Sequence, residues 1–118
     1  MSKHHVVCLL ELFRRAHDAH RVTYQRDRDK NRATLEHLGI PPTEMLRIVR
    51  DLRPEQALRA PWPNRNTKFK SETVCDFGTE VDGQEVYVKI AVVGTDDGAY
   101  ASVVSFHLAE QAFNYPFK

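Results

Sequence analysis

The sequence predicts an α+β domain in which helices precede a twisted antiparallel sheet. Apolar residues recur at helical spacing through the first half of the chain, and from about residue 73 they alternate with polar residues as in half-buried strands. Asp82-Gly83 lies between two alternating stretches and is a strong signal for a two-residue hairpin turn. We therefore expect antiparallel strands over about residues 73–108, backed by the helices.

Length and composition favour a single domain over residues 1–118. A chain of 118 residues encloses one modest core, and 28% charged and 42% hydrophobic residues are ordinary values for a globular protein. With a net charge of +1, any case for nucleic-acid binding depends on local clustering. Because the sequence shows no membrane span, signal peptide or paired cysteines, we expect a cytoplasmic protein with reduced thiols. We also expect no cofactor.

The helical half divides into three parts. A first helix is predicted over residues 3–20, followed by a short strand from Val22. Central helices are predicted between about residues 30 and 60, where Gly39 ends one helix and Pro54 begins a final turn. The first helix has an apolar stripe of Val6, Leu9, Leu10, Phe13 and Ala16. This stripe predicts the face that packs on the sheet.

The hairpin turn predicts the register of the sheet. A type I′ turn at Asp82-Gly83 pairs Val81 with Gln84 and fixes every following pair. The expected pairs are Gly78 with Tyr87, Phe77 with Val88, Asp76 with Lys89, and Cys75 with Ile90. Because side chains alternate along a strand, the polar members share the face opposite the core. In the last strand we expect Val104 and Phe106 in the core, Ser105 and His107 on the polar face, and a depression at Gly78.

The polar face combines a phenol, an ammonium and an imidazole near a basic loop, which suits RNA cleavage without a metal. Such cleavage needs proton transfer and cations that balance charge on phosphorus. The catalytic candidates are Tyr87, His107, Arg59 and Lys89. The candidates for substrate binding are Arg65, Lys68 and Lys70 in the loop, with Asp76 and Ser105 orienting their neighbours.

Less specific interpretations stay open. An Asp76–Lys89 pair is a normal feature of a solvated sheet face, and a lone histidine on a strand is more often a bystander. Trp62 either caps the core or offers a stacking platform. The histidines near the N-terminus have no thiol or carboxylate constellation beside them, so no metal site is predicted. Cys8 and Cys75 are both expected to be buried.

Several short motifs together resemble the MqsR-like toxins of bacterial toxin–antitoxin systems. They are "LGI" with "EML", then "LRAP", "DFG", "VYVKI", "VVSFH" and the ending "NYPFK". The resemblance covers roughly residues 38–118. It implies a RelE-like fold and a ribosome-independent endoribonuclease that cuts mRNA and is held inactive by a cognate antitoxin.

The resemblance also assigns positions. It implies that Tyr87 is a site residue, that His107 stands where the family often has lysine, and that Arg59 replaces a family lysine. A family glutamine has no counterpart, because Cys75 stands there. We therefore expect an endoribonuclease toxin that makes a 2′,3′-cyclic phosphate, with RNA and an antitoxin as partners and no membrane. The alternative is a non-catalytic RNA-binding or protein-interaction module that uses the same face; the oligomeric state stays open.

Overall fold

The chain folds as an α+β protein with helices against one face of a sheet, as predicted. The structure, a computed structural model, describes residues 3–64, 72–94 and 98–118. The helices are α1 (Lys3–Asp18), α2 (Asp29–Leu38) and α3 (Pro42–Arg50), with a 3-10 turn at Pro54–Gln56. The strands are β1 (Val22–Tyr24), β2 (Trp62–Pro63), β3 (Thr73–Val81), β4 (Gln84–Val93) and β5 (Tyr100–Leu108).

The sheet is mixed rather than wholly antiparallel. Its strand order is β1-β5-β4-β3-β2, and the neighbours from β2 to β5 pair antiparallel. Strand β1 lies at the edge and pairs parallel with β5, so that Val22 lies beside Ala101. The expectation of a purely antiparallel sheet was wrong at this edge. A parallel neighbour needs a long crossover connection, and here the whole of the chain between β1 and β5 forms it.

The hairpin between β3 and β4 confirms the predicted register. Asp82 and Gly83 have φ angles of 51° and 78°, and a type I′ turn requires positive values at both positions. Val81 pairs with Gln84, and the other four predicted pairs follow. Local turn chemistry therefore determines which residues of β3 and β4 lie on the face opposite the core.

Strand β5 departs from simple alternation at Val104. Lys89 pairs with Ser105 but Ile90 pairs with Val103, which leaves Val104 as the extra residue of a β-bulge. Val103 therefore takes the core position, and Val104 is only half-buried. The prediction that Val104 lies in the core was wrong, whereas Phe106 is fully buried as predicted.

The buried side chain of Asn31 satisfies the backbone around this bulge. Its amide nitrogen donates to the carbonyl oxygens of Gln25 and Val104, each at 3.0 Å. Its amide oxygen accepts from the backbone N–H of Phe106, also at 3.0 Å. Asn31 thus joins the start of α2, the end of β1 and the bulge of β5.

The core lies between the helices and one face of the sheet. The apolar stripe of α1 is buried with Met45 and Val49 of α3, against strand residues that include Phe77, Val88 and Phe106. Cys75 is buried in this core, and burial, assisted by the charge of Asp76, raises the pKa of its thiol to about 12.

The prediction that both cysteines are buried was wrong for Cys8. Its side chain is exposed on α1, where its Sγ atom lies 3.5 Å from Nε2 of His4. Cys8 precedes the buried pair Leu9 and Leu10 but lies outside the stripe that packs on the sheet. None of the helices in the described ranges is long and apolar enough to cross a membrane.

The ends of α1 and α3 are joined by an ion pair, and we expect its effect to be visible in an NMR titration. Arg50 donates through Nε and an Nη atom to both carboxylate oxygens of Asp18, each at 2.9 Å. These hydrogen bonds lower the pKa of Asp18 from its ordinary value of 3.8 to about 2. Because the folded pKa is depressed, the pair stabilises the fold above pH 3.8 and is lost as the pH falls towards 2.

In Arg50→Gln the pKa of Asp18 should move back towards the ordinary value. The exposed Arg53→Gln change, which removes a cation from the same part of the chain, should leave it unchanged. An Asp18 that titrates identically in the wild type and Arg50→Gln would contradict this account.

Candidate functional site

A groove of about 690 Å³ lies on the sheet face opposite the helices, where β4 and β5 present Tyr87 and His107 side by side. It is lined by Leu58, Arg59, Asp76, Tyr87, His107 and residues 110–114. Three of the four predicted catalytic residues therefore line one groove. Lys89 lies next to it, because it follows Tyr87 on the same face of β4.

Asp76 holds two of the site residues in place. Its carboxylate accepts a hydrogen bond from the hydroxyl of Tyr87 at 2.9 Å and another from Nε of Arg59 at 3.3 Å. Its own side chain is almost fully buried. Burial and the negative charge of Asp76 raise the pKa of Tyr87, so its phenol stays protonated at neutral pH and acts as a donor.

The cross-strand ion pair between Asp76 and Lys89, one of the less specific interpretations of this face, does not form in the described structure. Their Cα atoms are direct partners, but the carboxylate is taken by Tyr87 and Arg59. The Lys89 ammonium instead lies 5.7 Å from the ring centroid of Trp62. The Lys89 side chain is thus not engaged by Asp76 and lies next to the groove.

His107 is placed as a proton acceptor. Its ring stacks on that of Tyr87, with the centroids 5.2 Å apart and the planes 30° apart. Its Nδ1 atom lies 3.0 Å from the backbone oxygen of Leu108. A carbonyl oxygen only accepts hydrogen bonds, so this contact assigns the proton of the neutral ring to Nδ1. The lone pair then lies on Nε2, which is the state that a general base requires.

The ring of Trp62 lies close to two cationic side chains at the edge of the site. The guanidinium carbon of Arg59 lies 3.8 Å from its ring centroid, and Lys89 approaches the same ring. Trp62 is half-buried in β2 and lies outside the core cluster, which argues against the core cap, and its ring stacks on the Arg59 guanidinium. The predicted substrate-binding residues Arg65, Lys68 and Lys70 lie outside the described residues.

Ser105 meets a residue that the sequence analysis treated as part of a charged connection. Ser105 is buried opposite Lys89, and its hydroxyl accepts a hydrogen bond from the guanidinium of Arg28 at 3.2 Å. Arg28 therefore brings a further cation to the polar face. Nothing in the run "RDRDKNR" distinguishes this arginine from its neighbours.

The segment after β5 fills the predicted depression at Gly78. A Cβ atom at Gly78 would lie 2.5 Å from both a ring carbon of Phe113 and the hydroxyl oxygen of Tyr115. The lack of a side chain at Gly78 thus admits two aromatic rings, and the expectation of an open depression was wrong. The sequence contains a signal for this segment, because Phe113, Tyr115 and Phe117 alternate with polar residues or proline.

Two contacts tie this segment to the rest of the molecule. The backbone N–H of Ala109 donates to the carbonyl of Glu85 at 2.9 Å, and Glu110 forms an ion pair with Lys30 at 2.8 Å. Residues 110–114 then form one wall of the groove.

Comparisons of this chain with family models, curated proteins and solved structures found no match.

The groove holds side chains that can accept or donate a proton and cations that can neutralise negative charge. In the described ranges, no group of three or more His, Cys, Asp and Glu side chains is arranged to hold a metal ion. Asp76 is the buried carboxylate of the groove, and its two oxygens already accept from Tyr87 and Arg59. An imidazole, a protonated phenol and nearby cations are groups that act on a phosphodiester.

Proposed function

We propose that this protein is a metal-independent endoribonuclease. The observation that carries the proposal is the imidazole of His107, with its lone pair on Nε2, stacked on Tyr87 in a groove that also holds the Arg59 guanidinium. A histidine nitrogen that can accept a proton, beside a cation that can bind phosphate, supplies the base and the positive charge that cleavage of RNA by its own 2′-hydroxyl requires.

In the proposed reaction the ribose 2′-oxygen attacks the adjacent phosphorus. Nε2 of His107 takes the 2′-hydroxyl proton as the new P–O bond forms, and the bond from phosphorus to the 5′-oxygen breaks. The attacking and departing oxygens lie in line on opposite sides of the phosphorus. A second side chain, a proton donor, therefore serves the departing oxygen. Tyr87 is this donor: its raised pKa keeps the phenol protonated, and its one O–H proton passes from the hydrogen bond with Asp76 to the departing oxygen. Afterwards a proton from solvent restores the phenol, and His107 releases to solvent the proton that it took. The products are a 2′,3′-cyclic phosphate and a 5′-hydroxyl.

Cations next to the groove balance the charge that builds up on the phosphoryl oxygens. Arg59 has an exposed side chain (61%) and reaches into the groove while it stacks on Trp62. Lys89 lies against the same ring, and Trp62 thereby limits how far both cations move. Positioned charges of this kind stabilise the transition state more than mobile ones.

The biological role that we propose is that of a toxin with a RelE-like fold, held inactive by a cognate antitoxin in the cytoplasm. This part of the proposal is supported by the sequence resemblance to MqsR-like toxins. A small open reading frame that encodes an antitoxin beside this one is the expected genetic context. Inducible expression, with growth and RNA integrity followed together, tests the toxin role separately from the chemistry.

Cleavage by the purified protein should persist in excess EDTA. The proposed chemistry uses only side chains, so chelation removes nothing that the reaction needs. The measurement is digestion of a synthetic RNA with and without chelator, followed by mass analysis of the fragments. We expect cyclic phosphate ends in both samples, and no cleavage of an oligonucleotide with 2′-deoxyribose at every position.

Two outcomes would count against the proposal. Activity that disappears with chelator and returns with Mg²⁺ would replace the mechanism with a metal-dependent one. Tight binding of the RNA without cleavage would favour the alternative, a module that binds RNA through the same sheet face.

A further inference from the structure

Arg28 is a cation of the polar sheet face that lies outside the groove. It is exposed, and its Nη1 atom donates to Oγ of Ser105 at 3.2 Å. Ser105 and His107 share one face of β5, and two residues of a strand span about 6.6 Å. Neither Arg28 nor Ser105 lines the groove, so this cation marks a second position, one step farther along β5 than His107.

The start of α2 is fixed beside β5, at the edge where β1 ends. The backbone N–H groups of Phe106 and Leu108 donate to the side chains of Asn31 and Thr34 of α2. Arg28 is the residue that directly precedes α2. Because β1 and β4 lie on opposite sides of β5, Arg28 approaches the polar face from the side of β5 that is farther from β4.

The hydrogen bond to Ser105 does not neutralise the charge of Arg28. Ser105 contributes a neutral hydroxyl, and this contact uses one of the five N–H donors of the guanidinium. Asp27 and Asp29 flank Arg28 in the sequence, but Asp29 is engaged by Arg32 at 2.6 Å. Among the residues that the structure describes, no carboxylate forms an ion pair with Arg28. The remaining donors are suited to an anionic ligand.

The two carboxylates that line the groove have cations of their own. Glu110 pairs with Lys30 at 2.8 Å, which lowers the pKa of its carboxyl, so Glu110 is an anion at neutral pH. Asp76 accepts from Arg59 at 3.3 Å. Since each carboxylate is paired with another residue, neither one neutralises Arg28.

The proposed reaction gives the substrate a direction across the sheet. His107 of β5 takes the proton of the 2′-hydroxyl, and Tyr87 of β4 serves the departing oxygen. The nucleotide that supplies the 2′-hydroxyl therefore lies on the β5 side of the scissile phosphate, which is also the side of Arg28. One nucleotide of an extended RNA strand spans a distance similar to that between Ser105 and His107.

We propose that Arg28 binds the phosphate on the 5′ side of the nucleotide whose 2′-hydroxyl attacks. The ligand is single-stranded RNA, held by two consecutive phosphates, the scissile one near Arg59 and the preceding one at Arg28. A guanidinium can donate two hydrogen bonds to a phosphate, which holds the strand in register. The inference rests on the proposed ribonuclease function and adds the direction in which the strand crosses the sheet.

The test neutralises one phosphate at a time in an oligonucleotide with a single 2′-hydroxyl, at the cleavage site, and 2′-O-methyl groups elsewhere. A methylphosphonate has no charge and leaves the scissile phosphate intact. On the 5′ side of the attacking nucleotide it should lower kcat/KM of the wild type about tenfold or more, and that of Arg28→Gln less than about twofold. At the phosphate that follows the scissile one, it should affect both proteins equally.

Each effect is a ratio between two substrates of one protein, so a smaller folded fraction of a variant cancels. Arg26→Gln is the matched control, because Arg26 lies in the same connection but lines a different cavity, with Leu35 and Pro42. Its ratio should equal that of the wild type. Arg28→Lys keeps the charge without the fork of donors and should keep part of the ratio.

Binding of an RNA with 2′-O-methyl groups at every ribose supplies a readout that does not depend on cleavage. For a single strand, each phosphate neutralised by the protein contributes about −0.7 to the slope of log K against log salt concentration. Fluorescence anisotropy at several salt concentrations should give a slope that is shallower by about 0.7 in Arg28→Gln and unchanged in Arg26→Gln.

The outcomes separate this inference from the proposed ribonuclease function. If the wild type cleaves RNA and the 5′ methylphosphonate is equally harmful in Arg28→Gln, the inference is overturned and the function stands. The same holds if Arg28→Gln abolishes a penalty on the 3′ side instead. Absence of cleavage by the wild type, with a shallower slope in Arg28→Gln, would refute the ribonuclease and keep Arg28 as a phosphate contact of a binding module. Equal slopes in all proteins would overturn the inference in either case.

Discussion

Replacing His107 with alanine should lower the single-turnover rate of RNA cleavage by about 10²–10⁴-fold, the usual contribution of a general base. The reason is geometric: the contact of Nδ1 with the Leu108 carbonyl leaves Nε2 as the accepting nitrogen, next to Tyr87 in the groove. His107 is only half-buried, so the variant should fold, which circular dichroism and thermal unfolding can verify. In cells, the same change should relieve growth inhibition.

His4→Ala is the matched control, because His4 is exposed on α1, where its ring contacts Cys8. It should cleave RNA at the wild-type rate. His107→Lys, which introduces the residue frequent among MqsR-like toxins, should keep part of the activity. Equal rates for the wild type, His107→Ala and His4→Ala would refute the assignment and favour the binding module.

Replacing Asn31 with alanine should lower the free energy of unfolding by about 3–5 kcal/mol, the range of the most damaging single substitutions. Asn31 is fully buried and makes three hydrogen bonds of 3.0 Å to backbone groups. Its loss leaves the carbonyls of Gln25 and Val104 and the N–H of Phe106 without this partner. The buried N–H of Phe106 costs about 1–3 kcal/mol when left unsatisfied, and the two part-buried carbonyls add less each because water can partly replace Asn31.

Chemical denaturation of the wild type and Asn31→Ala gives the difference directly. Glu36→Ala in the same helix is the control, because Glu36 is exposed, and its effect should stay within about 0.5 kcal/mol. If Asn31→Ala cost no more than this control, Asn31 would not be what supports the bulge of β5.

The parts of the fold that depend on neighbouring residues could be predicted from the sequence. Asp82-Gly83 determines the register of β3 and β4, and the register places Asp76, Tyr87 and Lys89 on one face. Helix-ending signals were equally local, since Gly39 adopts the left-handed conformation at the end of α2. In these places the physical cause lies within a few residues of its effect.

The errors arise where distant residues decide the outcome. Simple alternation puts Val104 in the core, but the hydrogen bonds of Asn31, from another part of the chain, accompany a bulge that moves Val103 there. Nothing in the sequence around Gly78 indicates that Phe113 packs on it. The site was incomplete for the same reason, because Arg28 reaches Ser105 only after the parts of the chain far from each other have folded together.

The parallel pairing of β1 with β5 has a consequence for the order in which the protein acquires structure during synthesis. Residues 22–24 leave the ribosome well before their sheet partners 101–103 have been synthesised. The β-hairpin of β3 and β4 can form before that, since its contacts are local, whereas the edge strand and the Asn31 hydrogen bonds must wait. His107 lies on the same strand, so a nascent chain cannot assemble the groove until β5 has been synthesised. The proposed nuclease therefore has no complete site before β5 has emerged.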